Sequence, residues 1–327
     1  MKDDPSMLAI RGSALSAEKA ARIERQLLSH PDNLTSQTLI LGYLFTKSFE
    51  SEALRRQRGN HVLWIIEHQP ASQLAGLPFA QLDPTLDVET YGKGRDLWLK
   101  NTDKRSTDTA VLGNAAHYFL IYERATAERL LQKAKALDPK NPEWSERLGQ
   151  LYGLQGHTKQ AAEAHAESAR KQYAQLQQAY DQESMPNKKQ CMLEDLAKAA
   201  LDAGEEAQAE RYARESLRTA QDKSDWNYGN AIHHGNLVLG RLALKKGDLK
   251  QARQCLLEAG KSPGSPQLDS FGPNMTLAKE LLEKGEKTVV LTYFELCGKF
   301  WKDAKLERWR QEVQAGKIPD FGANLDY

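Results

Sequence analysis

Residues 111–156, VLGNAAHYFLIYERATAERLLQKAKALDPKNPEWSERLGQLYGLQG, open a tyrosine-centred pattern that returns at a spacing of 34 residues. Ala115, Tyr118, Ala127, Leu131 and Ala134 are answered by Gly149, Tyr152, Ala161, His165 and Ser168, and Pro139 closes the first copy. That period holds two short helices with their turns and is too long for a single helix. Such a hairpin cannot bury its apolar face alone, so neighbouring hairpins must stack. A stack of this kind presents a curved surface suited to holding another molecule.

The rest of the composition agrees with helix. Ala, Leu, Gln, Glu, Lys and Arg dominate, while Gly and Pro fall mostly between apolar-periodic segments. At 327 residues the chain is long for one compact core, so a solenoid or several domains are expected. Lys and Arg number 45 against 44 acidic residues, which leaves no global field for nucleic acid or an anionic membrane. Cys191, Cys255 and Cys297 are far apart and show no CxxC spacing, so a disulfide framework or a structural zinc is not expected. They read as small apolar core residues in a reducing compartment. Residues 1–16 are polar and lack a continuous apolar stretch, unlike a secretory leader. No window approaches a membrane-spanning length of about 18 uninterrupted apolar residues. The expected setting is cytoplasmic, although a leader removed from an exported precursor would leave the same sequence.

Working outward, the spacing predicts helices over 16–30, 36–49 and 51–67, with Ser16 as an N-cap and Pro70 as a stop. A breaker-rich connector follows over 70–84, then a helix over 86–101. Clear helix pairs begin near 108: 111–122 with 126–137, then 142–155 with a long second helix over 158–180 after Gly156. Further pairs are expected at 190–203 with 206–220, 231–246 with 249–259, and 274–283 with 287–301. A charged cap over 304–315 ends the stack. The predicted division is 1–100, degenerate helical repeats and connector, and 101–327, regular repeats with a C-terminal cap.

Gly149, Tyr152, Gly156 and Ala161, with Pro139 before them, sit where the tetratricopeptide repeat motif places its small, aromatic, turn and small residues. Leu239-Gly240, Gly247-Asp248, Ala252, Leu256 and Ala259 fit the same template, as do Leu277-Ala278, Gly285 and Phe294. The physical reason is close helix approach: Gly or Ala at a crossing lets a neighbouring Tyr or Leu fill the gap. The chain therefore resembles the tetratricopeptide repeat family over 108–302, and more weakly over 16–100. The resemblance implies an all-α, right-handed superhelical solenoid of helix-turn-helix repeats that binds proteins or peptides, without catalysis and without a cofactor. The long second helix after Thr158 and the loops after Ala220 and Gly260 depart from the strict spacing.

In that family the first helix of each pair lines the concave face. Equivalent inward positions here hold Gln150, Lys198, Arg241 and Lys279, which would make a locally basic strip for carboxylates or phosphates. The plain alternative is cations on a solvated helix face. Some family members grip a terminal carboxylate between Lys, Arg and Asn; matching asparagines are not evident in this row. The densest polar-aromatic segment is Trp226-Asn227-Tyr228-Gly229-Asn230-Ala231-Ile232-His233-His234-Gly235-Asn236. Adjacent histidines on a helix point about 100° apart and make no chelating face. His234 falls on the expected concave side, with Arg241 two turns onward. In Ser270-Phe271-Gly272-Pro273-Asn274-Met275 a turn, an Asn274 cap and a packed Phe271 suffice structurally. Functionally, this loop and the 226–230 loop would meet at one rim of the groove. His117, His157 and His165 read as core or surface, and Phe300, Trp301 and Trp309 as fasteners of the cap.

The expected site is a peptide-binding groove between residues 190 and 283. Lys198, Arg241 and Lys279 would face acidic groups of a protein or peptide, His234 and Asn274 would hydrogen-bond, and Leu237 and Met275 would give apolar contact. No metal site, nucleic acid or membrane is expected. The rival is a small-ligand, metal or catalytic site around His233, His234, Asn236 and the 270–275 loop. A third reading is self-association through the long helix after Thr158.

Overall fold

The structure is a computed structural model and describes residues 4–155 and 162–325. Seventeen α-helices, three short 3-10 turns and no strand occur among the described residues. The chain groups into two compact units, Met1–Trp144 and Ser145–Tyr327. That grouping follows contacts, whereas the 1–100 and 101–327 division follows repeat clarity; the two are separate criteria.

The first unit holds α1 (Pro5–Ser13), α2 (Ala17–Ser29), α3 (Leu34–Lys47), α4 (Glu52–His68), α5 (Val88–Lys104), α6 (Thr109–Phe119) and α7 (Arg124–Leu137). Capping is as the sequence implies: the Ser16 side chain accepts from the Lys19 amide, and Asn33, Ser51, Asp87 and Asp108 do the same for later helices. Sequence periodicity marks no helix before residue 16, yet α1 forms. Its Gly12 lies against the Leu39 backbone while Gly42 of α3 lies against that of Ala9, so the two helices touch backbone to backbone. Leu8 and Ala9 are buried there. Nine residues cannot sustain a helix alone in water, and packing against α3 stabilises it.

The 70–84 connector is tied down by side chains. Asn114 Nδ2 donates to the Pro70 and Ser72 carbonyls, both at 2.9 Å, and Gln81 Nε2 donates to the His117 carbonyl. The segment forms two 3-10 turns, Gln73–Gly76 and Pro78–Ala80. Tyr91 and Tyr118 stack at 5.0 Å, and the Tyr118 hydroxyl donates to the Tyr91 carbonyl at 2.8 Å.

Helix α8 (Pro142–Gln155) starts at the division between the units. The second unit continues with α9 (Ala162–Gln182), α10 (Pro186–Asp202), α11 (Glu206–Thr219), α12 (Tyr228–Lys245) and α13 (Leu249–Gly260). It ends with α14 (Pro266–Phe271), α15 (Thr276–Glu283), α16 (Lys287–Cys297) and α17 (Ala304–Gln314). Gly156, His157, Thr158 and Ala161 lie outside the described residues. The pairs α10/α11, α12/α13 and α15/α16 stack in order, with the leading helices α10, α12 and α15 side by side.

The same turn closes each pair. Gly204, Gly247 and Gly285 have φ of 86°, 80° and 85°. Each following amide reaches back five residues: Glu205 to Ala200, Asp248 to Ala243, Glu286 to Leu281. This is the Schellman closure, which needs a left-handed residue at that point. The small residues work as expected: a Cβ on Gly149 would strike Leu176, and one on Gly240 would strike Leu277.

Two local readings change. Phe271 does not pack beneath the loop; it is exposed, because Gly272 at φ 87° turns the chain and itself abuts the Trp301 ring. α16 stops at Cys297 rather than 301, and the turn through Gly298 carries Trp301 back over the core. Trp301 and Trp309 are buried together with Phe294 and Phe321, which fixes the C-terminal cap.

Candidate functional site

The leading helices α10 and α12 face each other through polar rungs. Glu194, Lys198 and Asp202 recur every four residues and so share one face of α10. Asn227 precedes α12, and His234 and Arg241 follow on it two turns apart. Asn227 Nδ2 donates to Glu194 Oε1 at 2.7 Å, and Arg241 Nη1 meets Asp202 Oδ1 at 3.2 Å. Between these rungs the Lys198 ammonium lies close enough to His234 to oppose protonation of its ring.

The upper rung continues into α14. Asn230 Nδ2 donates to Asn227 Oδ1 at 3.0 Å and to Gln267 Oε1, while the Ser265 hydroxyl donates to Asn230 Oδ1. Glu194 is buried in this set, and burial, followed by the nearby Asp195 charge, holds its carboxyl well above the usual range against the opposing Asn227 bond. The lower rung continues into α15, where Glu280 Oε1 accepts from Arg241 Nε at 2.9 Å. Arg241 is thus clamped by one carboxylate from each neighbouring helix.

Of the expected site residues, Lys198, His234 and Arg241 come together in this ladder. Lys198 and His234 are half-buried. Lys279 is half-buried one helical step, about 100°, from Glu280. The strip is not simply basic: Asp195, Asp202 and Glu280 accompany Lys198, Arg241 and Lys279, and Arg241 already has its counter-charges.

Leu237, Asn274 and Met275 are core, not groove. Leu237 and Met275 join the apolar cluster beneath α13, α16 and α17. Asn274 is buried as a connector: its side-chain oxygen accepts from the Thr276 amide at 2.9 Å and its carbonyl from the Tyr293 hydroxyl at 2.8 Å. The C-terminal tail covers this loop, with Asn324 accepting from the Met275 amide at 2.7 Å and donating to Phe271 and Pro273.

The same geometry gives His233 and Asn236 structural partners, while His234 stays half-buried in the ladder. His233 has no exposed surface; its Nδ1 donates to the Ala259 carbonyl at 3.2 Å and its Nε2 accepts from the Asn274 amide at 3.1 Å. Both ring nitrogens are occupied in one neutral tautomer. Burial lowers its pKa to about 4. His234 is shifted the same way by the surrounding protein, then by His233 and Lys198. Asn236 donates back to Ile232 within its own helix. Among the described residues no three His, Cys, Asp or Glu side chains assemble as a metal site, and no helix is long and apolar enough to cross a membrane.

Sequence reasoning singled out the 226–230 loop with Asn227 and Asn230 but missed their partner Glu194, and it missed Asp202 and Glu280. The four-residue spacing of Glu194, Lys198 and Asp202 was a usable signal. The cross-helix pairing was not, because it depends on how α10, α12 and α15 align. Trp226 and Phe271, at opposite ends of the Asn227–Asn230–Gln267 set in the chain, are both exposed.

No family model matches the chain, and no curated protein matches it in sequence. Ten solved chains are similar in structure. The human IFIT1 dimer with m7Gppp-AAAA aligns over 96% of this chain and 72% of its own, at 16% identity and a TM-score of 0.52. A structure from the functional characterization of Pseudomonas aeruginosa pilF aligns over 80% of this chain and 99% of its own, at 17% identity and a TM-score of 0.43. At 16% identity the likeness to IFIT1 is one of fold: the chain has an all-α, helical-repeat fold of tetratricopeptide type.

Proposed function

We propose that the chain is a non-catalytic scaffold that binds a protein or peptide segment along the ladder between α10, α12 and α15. The observation that carries this reading is the row of partly exposed polar groups on leading helices that lie side by side. Lys198 donates, Asp202 and Glu280 accept, and His234 offers a neutral ring, so the row matches the alternating N–H and C=O of an extended backbone. Exposed Trp226 and Phe271 provide aromatic contact beside the Asn227–Asn230–Gln267 set. Because the charges are balanced, the partner need not be acidic: recognition rests on hydrogen-bond pattern more than on net attraction.

The test is a peptide-display selection against the full chain, followed by affinity measurement on Lys198→Glu and Trp226→Ala. Each variant is expected to weaken the selected segments at least about tenfold while the helix content stays unchanged. Selected segments that bind both variants as tightly as the parent chain would place the contact surface elsewhere.

A further inference from the structure

In the first unit a cavity of about 220 Å³ opens between α4, the connector and the turn after α6. Its walls are apolar where Phe45, Leu82, Ile121 and Tyr122 meet. Arg55 and Arg58 also line it. Arg58 Nη2 donates to the Phe79 carbonyl at 3.0 Å and to that of Gln81, and the guanidinium lies 5.4 Å from the centre of the Phe45 ring. The Nε atoms of both arginines are out of contact with water and have no acceptor.

Two carboxylates also line the cavity, each held as an anion by hydrogen bonds from a neighbouring threonine and not by Arg58. Asp83 accepts from the Thr85 amide and hydroxyl, and Asp87 caps α5 by accepting from both the amide and the hydroxyl of Thr90. The charge beside Asp87 comes from Arg55 and Arg56. Among the described residues Arg58 forms no ion pair, and burial alone lowers its pKa to about 10. A buried cation without an anion is unfavourable, and a bound anion would compensate it.

Phe49, Leu86, Ile121 and Tyr122 nevertheless remain exposed around this one opening. Apolar side chains exposed around a concavity offer contact to the apolar body of a ligand. The volume lies below the roughly 300–1,000 Å³ of drug-sized ligand sites, so the occupant is small.

We propose that this cavity binds a small organic carboxylate, its apolar body between Phe45, Leu82 and Ile121 and its carboxylate on Arg58. The proposal is independent of the ladder in the second unit, since no residue is shared.

The experiment titrates the full chain with 3-phenylpropionate, with its neutral amide, and with a short peptide ending in a free Phe carboxylate. The carboxylate is expected to bind one to one, to shift the Phe45, Leu82 and Ile121 resonances, and to bind at least about tenfold tighter than the amide. Arg58→Met should remove that preference. Because Arg58 also holds the 78–81 turn, Phe49→Glu is the second variant: a negative charge at the exposed rim, away from the three residues that hold the apolar body, should weaken the carboxylate and spare the amide. No binding by about 10 mM, equal binding of acid and amide, or shifts outside the cavity overturns the proposal. A peptide that binds more than about tenfold tighter than the free acid also overturns it, by making a polypeptide end the occupant.

Discussion

His233 shows how one side chain can look functional in sequence and be structural in the fold. Its ring joins α12 to the Ala259 carbonyl and the Asn274 amide with no exposed surface. Replacing it by Ala would leave both backbone groups buried and unpaired, and would delete a packed ring. The expected loss is about 3 kcal/mol, read from the shift of the urea midpoint at neutral pH. The same residue predicts a pH dependence. Well above pH 6.5 the imidazole is neutral in the folded and unfolded chain alike. As pH falls from 6.5 towards 4, the unfolded chain takes up a proton that the folded chain refuses. Stability is therefore present above that window and falls across it by roughly 3 kcal/mol, then levels off for this group. His233→Ala should flatten that slope, leaving the smaller or parallel contribution of His234. If parent and variant lose stability equally between pH 7 and pH 5, His233 is not the group responsible.

Arg241 is the complementary case. Its sequence position suggests a cation awaiting a ligand, yet Asp202 and Glu280 already hold it. Arg241→Met should lower stability by about 1–2 kcal/mol, because two partly buried carboxylates lose their partner. Lys198→Glu, by contrast, should change binding more than thermal midpoint. Comparing melting curves with partner affinity for the two variants separates the roles.

At the scale of elements, the closing turns carry the clearest expectation. Gly247 has φ of 80° and open space where a Cβ would stand, so Gly247→Ala is a backbone test without a steric clash. The left-handed conformation should make it less stable by about 1–2 kcal/mol, visible as faster amide exchange in α12 and α13. An unchanged exchange rate there would mean that the turn relaxes freely. The connector offers a second test. Asn114→Ala removes both bonds to the 70–72 backbone and should cost about 2 kcal/mol, with proteolysis starting between 70 and 84. Repeat glycines and prolines made these hairpins legible, since the pattern of small residues and turns is local. α1 was not legible, because its helix depends on contact with α3 rather than on its own periodicity.

For the molecule as a whole, charge balance sets the expectation. With 45 basic and 44 acidic residues and a ladder that pairs its own ions, association with the partner should depend weakly on ionic strength. Affinity is expected to change by less than about threefold between roughly 50 and 300 mM salt. A steep loss over that range would show that free cations dominate the interface.

The sequence by itself determined the all-α class, the helix hairpins and their turns. Those features follow from short-range spacing, from Gly where φ must be positive and from Pro where a helix must start or stop. Only the tertiary structure decided which polar groups are available. Leu237, Asn274 and Met275 were expected as groove contacts, but stacking and the C-terminal tail bury them. Glu194, Asp202 and Glu280 gained their partners across helices, at distances that counting along one chain cannot supply. Burial and pairing are properties of aligned surfaces, and alignment is fixed by the packing of side chains far apart in sequence.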